Sequence, residues 1–190
     1  MLRWLIYSIV FFSPLISIAQ GPNTSLEFIK NEGQWDGPFL YKSTAGNIGV
    51  FLESTSFVYV LGAQSNIQLL RDYKHGQITE RPTLYYHRYE VKLIGANEEA
   101  EISGSKSQKH YYNYFLGNDS TKWKSNIHPN LAVDYTSIYD KIDLHIASAN
   151  TKIKYDFIVK PSGNPDDIKL EIKGADDIKV HDGKLVITTS

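Results

Sequence analysis

The stretch that decides the fold is Lys152-Ile153-Lys154-Tyr155-Asp156-Phe157-Ile158-Val159-Lys160. Ile153, Tyr155, Phe157 and Val159 alternate with Lys152, Lys154, Asp156 and Lys160, the period of a strand with one face in a core and one in water; Ile158 is the misfit. The same alternation sets Ile142, Leu144 and Ile146 against Asp143 and His145, and Tyr89, Val91 and Leu93 against Arg88, Glu90 and Lys92. It also sets Ile168, Leu170 and Ile172 against Lys169, Glu171 and Lys173. Further strands are expected at 48–52 and 57–61, joined by a turn at Glu53-Ser54-Thr55-Ser56. Asp182-Gly183, between Ile178–Val180 and Leu185–Ile187, is a hairpin signal. Turn formers punctuate the strands at Asn118-Asp119, 161–165 and 174–177. No amphipathic helix of ten or more residues is evident, and the polar, weakly patterned stretch 64–82 is expected to be a long loop or a lobe boundary. The pattern predicts an all-β fold of antiparallel sheets stacked as a sandwich, in one body or two lobes.

Composition narrows the chemistry. The 190 residues carry 20 basic and 21 acidic side chains, a net charge of −1 that offers no basic excess for nucleic acid. The absence of cysteine excludes disulfide scaffolds, Cys-ligated zinc and thiol nucleophiles.

Residues 1–19, MLRWLIYSIVFFSPLISIA, read as a signal peptide: one cation at Arg3, an apolar run from Trp4 to Ile18, and small residues at Ser17 and Ala19 that place cleavage between Ala19 and Gln20. The run is short of the roughly 20 residues of a spanning helix, and Pro14 interrupts it. No later segment is apolar enough to span, so no membrane span is expected after cleavage. The expected product is a domain over 20–190 with net charge −2, because Arg3 leaves with the peptide, and it is secreted or held at the cell surface.

Tyr85, Tyr86 and Tyr89 lie in one segment, Tyr111, Tyr112, Tyr114 and Phe115 in another, with Trp35 and Trp123 nearby in loops or strand ends. Tyrosine on a sheet surface can stack on a sugar ring or a protein partner, and it also packs well across strands, the commoner role. Trp35, Tyr86, Tyr112 and Trp123 are the candidate ligand-binding aromatics. The histidines at 75, 87, 110, 128, 145 and 181 show no metal-ligand spacing, and Asp166-Asp167 and Asp176-Asp177 do not fit a calcium loop, so no metal is expected. Asp134, Asp140, Asp143 and Asp156 are grouped, as a glycosidase pair would need, but outward or turn-associated Asp is far commoner. No nucleophile elbow, phosphate loop or dinucleotide fingerprint occurs, and neither catalytic residues nor a cofactor is expected.

Several phrases carry a family resemblance: Phe28-Ile29-Lys30-Asn31-Glu32-Gly33-Gln34-Trp35, Gly49-Val50-Phe51-Leu52-Glu53, His87 to Asn97, Tyr112 to Asp119 with Lys122-Trp123, Ile138 to Leu144, and Lys154 to Val159. In order and spacing the chain resembles, from about Phe28 to Thr189, an uncharacterised domain that follows the signal peptide of large secreted or cell-surface proteins of the Bacteroidota type. In such proteins the domain precedes propeller-type (SBBP) repeats, PKD modules and a sorting domain for type IX secretion, sometimes labelled gliding-motility-associated. The resemblance implies a non-catalytic structural or interaction module of an exported surface protein. Its partners would be other domains of a longer protein or extracellular glycan, bound in the second case by surface Tyr and Trp; a polysaccharide-active hydrolase ranks third. Against that arrangement the chain stops at Ser190, mid-strand by its pattern, and is expected to be shortened at its C-terminus.

Overall fold

A computed structural model describes residues 26–149 and 152–189; the expected signal peptide and its cleavage pair Ala19–Gln20 lie outside the described residues. Fourteen strands are described: β1 (Ile29–Lys30), β2 (Tyr41–Ala45), β3 (Ile48–Leu52), β4 (Ser56–Gly62), β5 (Tyr86–Leu93), β6 (Glu101–Ser107), β7 (Tyr112–Tyr114), β8 (Lys124–Ile127), β9 (Asn130–Tyr139), β10 (Ile142–Ala149), β11 (Lys152–Val159), β12 (Leu170–Lys173), β13 (Asp177–His181) and β14 (Lys184–Thr188). They form a six-stranded sheet in the order β1-β2-β3-β4-β5-β12, a four-stranded sheet in the order β11-β10-β9-β6, and two separate pairs, β7-β8 and β13-β14. Every pairing between named strands is antiparallel. The two larger sheets are open and stack as a sandwich.

Alternation decides which side chains meet between the sheets. Tyr41, Val50, Leu52, Phe57 and Leu93 face inward from the larger sheet, and Val133, Tyr135, Ile142, Leu144 and Ile146 from the smaller. Phe57 meets Tyr135 edge-on at 6.1 Å between ring centroids and Tyr155 at 5.2 Å. Tyrosine suits this interior because its hydroxyl reaches backbone acceptors at the margins. Tyr135 Oη donates to the Glu53 carbonyl at 2.8 Å and Tyr139 Oη to the Lys169 carbonyl at 3.3 Å.

At one corner the chain joins both sheets. Phe28, fully buried, exchanges backbone hydrogen bonds with Asn130 of β9 at 2.8 and 2.9 Å, and the next two residues pair with β2 in the larger sheet. A register irregularity between β9 and β10 leaves the Ser137 N–H without a ladder partner, and Asp143 Oδ1 accepts it at 2.8 Å. Lys160 Nζ pairs with the same carboxylate at 2.7 Å, and the Lys160 hydrogen bond, then the Ser137 N–H, hold the Asp143 carboxyl below its ordinary value.

Two expectations require correction. Where the sequence predicts no helix of ten or more residues, Gln64–Lys74 form an eleven-residue helix, α1, within the stretch 64–82 read as a long loop or lobe boundary. Its tie to the sheet is a polar side chain: the buried Asn66 donates to the Tyr85 carbonyl at 2.6 Å and accepts from the Tyr85 N–H at 3.0 Å, as a strand neighbour would. Ile67, Leu70 and Tyr73 recur at helical spacing, but the surrounding residues are polar and the apolar stripe is too short to stand out in the sequence. On either side of α1, β4 and β5 pair directly over seven residue positions, so the helix is an excursion between neighbouring strands of one sheet. Ile168 is likewise not in a strand: Asn164 caps a 3-10 turn at Pro165–Asp167, and β12 starts only at Leu170.

Candidate binding groove

Residues that alternate with the core positions floor the outer face of the larger sheet. Lys42 and Thr44 come from β2, Gly49 and Phe51 from β3, and Val60 from β4, with Lys42 opposite Phe51 and Thr44 opposite Gly49. Gly49 carries no side chain over the sheet, and the Phe51 ring occupies that space: a Cβ there would lie 3.1 Å from the ring. Two depressions indent this floor. One, of ≈ 340 Å³, runs against α1, with Ile67, Leu70 and Tyr86 on its wall. The other, of ≈ 280 Å³, is lined by Glu27, Ile29, Thr44, Tyr112 and Tyr114. Thr44 lines both, so the two adjoin at that residue and together make up an outer groove between the β7-β8 pair and the helix.

The aromatic wall at the β7-β8 end is built from loops. The Asn31–Trp35 turn is organised by two amides: Asn31 Oδ1 accepts from the Gly33 and Trp35 N–H groups, and buried Gln34 donates to the Lys30 carbonyl at 2.6 Å. This turn sets the Trp35 indole edge-on to Tyr114 at 4.8 Å, and Lys42 Nζ stands 4.9 Å from the Trp35 ring and 5.6 Å from that of Phe51. Phe39 packs on Phe51 at 5.0 Å and Tyr112 on Tyr114 at 6.3 Å, giving a continuous strip of rings. Glu27 pins its outer end, accepting from Tyr112 Oη at 2.7 Å and pairing with His110 Nε2 at 2.9 Å. The hydrogen bond to Glu27, with a lesser effect of burial, pushes the Tyr112 hydroxyl up to about 12. Lys122 bonds Asp36 at 2.8 Å and ties the loop after β7 to the Trp35 turn.

Two of the four aromatics singled out in the sequence therefore line this groove, Tyr112 at one end and Tyr86, 59% exposed, at the other, while Trp35 stands behind the wall, packed on Tyr114 and beside Lys42. Trp123 does not line it; its indole donates to the Gly117 carbonyl at 3.3 Å and packs on Phe115. Sequence reasoning missed Glu27, Lys42, Thr44 and Phe51. The Tyr-Lys-Ser-Thr-Ala run at 41–45 does carry a period-two signal, but its inward residues shrink from Tyr to Ala and so read weakly.

The grouped carboxylates disperse. Asp134 and His145 hydrogen-bond across β9 and β10; burial raises the Asp134 carboxyl, but the His145 and Ser105 hydrogen bonds prevail and leave it lowered. Asp143 serves the irregularity described above, and Asp156 pairs with Lys154 at 2.9 Å. Asp140 lines an open cleft of ≈ 410 Å³ together with Asp167, Asn97 and Lys169. Among the described residues, no three His, Asp or Glu side chains come together as a metal site, and no helix is long and apolar enough to cross a membrane.

Fold and site together define an antiparallel β-sandwich domain with an aromatic-walled groove on one outer face. The chain belongs to the family described as a domain of unknown function, DUF7948, whose profile matches residues 28–190. No curated protein and no solved structure matches it.

Proposed function

We propose that this domain is a non-catalytic interaction module of an exported cell-surface protein, and that its outer groove binds extracellular glycan. One observation carries the ligand class: the strip of rings formed by Tyr112, Tyr114, Trp35 and Phe51 runs beside Lys42, Thr44 and Glu27. Sugar rings present apolar C–H faces that stack on aromatics and a rim of hydroxyls that need nearby donors and acceptors, and this strip offers both. Export is supported by the Arg3-led apolar run ending at Ala19, and a place in a longer modular protein by the resemblance to the domain that precedes propeller-type repeats and sorting domains. Affinity electrophoresis against a broad panel of soluble polysaccharides tests the groove. Retardation by at least one polysaccharide is expected, abolished in Trp35→Ala, weakened in Tyr112→Phe and unchanged in Trp123→Ala. No retardation on any polysaccharide, or equal loss in all three variants, would overturn the glycan reading.

A further inference from the structure

A second cavity opens between the two sheets, lined by residues of β2–β5 and β11, and it adjoins the outer groove at Ile48. It measures ≈ 360 Å³, and its walls are mostly apolar, with Val50, Leu61 and Ile153 among them and Lys152 the one charged residue lining it among the described residues. Tyr59, Tyr89 and Tyr155 also line a smaller, open apolar depression of ≈ 190 Å³, which Leu185 and Ile187 of β14 line as well. Tyr59 stacks on Tyr89 at 4.6 Å with the planes 4° apart.

Two polar groups face this apolar space with hydrogen-bonding capacity unspent. Ser43 is 2% exposed and lines the cavity, and its Oγ has no hydrogen-bond partner among the described residues. Buried hydroxyls are ordinarily satisfied, and an orphan costs stability. The Tyr59 and Tyr155 hydroxyls hydrogen-bond to each other; two phenols hold two protons and that bond uses one, leaving the second to point elsewhere. Burial raises the Tyr155 hydroxyl, so it stays protonated at neutral pH.

We propose that this inter-sheet cavity is a binding site for a small amphiphile, an alkyl or acyl chain bearing a neutral oxygen, with the chain along Val50, Leu61 and Ile153 and the oxygen at Ser43 Oγ and the tyrosine pair. The volume falls within the span of small-molecule sites, and an apolar wall with a few convergent polar atoms is their usual make-up. A sugar or nucleotide does not suit it, because most of its polar groups would find no partner on these walls.

The test titrates 1-octanol into ¹⁵N-labelled protein and follows backbone amide shifts in wild type, Ser43→Ala and Leu61→Trp. Saturable shifts are expected at residues 43, 50, 61, 153 and 155. Leu61→Trp, which fills the cavity, abolishes them. Ser43→Ala binds roughly three- to tenfold more weakly, the worth of one hydrogen bond, yet melts at the same or a higher temperature because the orphan hydroxyl is gone. Shifts that never saturate, wild-type affinity in Ser43→Ala, or a lowered melting temperature for that variant would each overturn the proposal, the last by showing that the hydroxyl is already satisfied. Should Leu61→Trp fail to fold, the Ser43→Ala comparison decides alone. Polysaccharide retardation by the outer groove is measured independently, and neither result depends on the other.

Discussion

Asp143 shows how one side chain can serve several needs. Its carboxylate takes the Ser137 N–H where the β9-β10 ladder slips, and it holds Lys160 beyond the end of β11. Replacing it with Ala removes the partner of that N–H and the Lys160 ion pair. Partial exposure of both charges keeps the expected loss near 1 kcal/mol, read from urea denaturation. The pH dependence has a definite sign. A carboxyl held below its ordinary value favours the charged form in the folded state, so its contribution is complete above about pH 4 and is lost as pH falls through the lower folded value. Asp134, lowered as well, titrates in the same direction. Wild type is therefore expected to lose more stability than Asp143→Ala between about pH 5 and pH 2, around the ordinary Asp value; parallel pH profiles for the two would contradict this role.

At the scale of elements, α1 depends on Asn66 more than on its apolar residues, since Ile67, Leu70 and Tyr73 are all largely exposed. Asn66→Ala takes away the partner of the Tyr85 N–H. Faster hydrogen exchange is expected across residues 64–74, with protection kept in the β4-β5 ladder and a global loss of about 1 kcal/mol. Exchange that rises equally in β4 and β5 would show that the helix and sheet are one cooperative unit. The contrast with the strands explains what could be read from sequence. β10, β11 and the 86–93 strand each turn one face toward the interior and one toward water, so composition alternates and the element is legible. Helix α1 is fastened by one amide, and β12 begins late because Asn164 and Pro165 start a 3-10 turn through what alternation marks as strand. The groove was legible only in part. Trp35, Tyr86 and Tyr112 stood out by residue type, but the approach of Tyr112 and Tyr114 to Trp35 and Thr44 depends on β7-β8 lying beside the larger sheet, a long-range placement no local pattern encodes.

On the scale of the molecule, a chain without cysteine is held by the interior shared between its two sheets, and Phe28 occupies the corner where they meet. Truncating a fully buried Phe to Ala costs about 3–5 kcal/mol, a large share of a typical domain's stability. Phe28→Ala is expected to lower the unfolding free energy by that amount, read from the displaced midpoint of one urea transition. Separate transitions for the two sheets would mean that they do not share one interior. The same corner has a mechanical side. Residues 28–30 carry hydrogen bonds to Asn130 and to β2 that lie in different sheets, so tension along this segment divides between both layers instead of unzipping one edge. A domain tethered in this way resists being peeled open from its leading end.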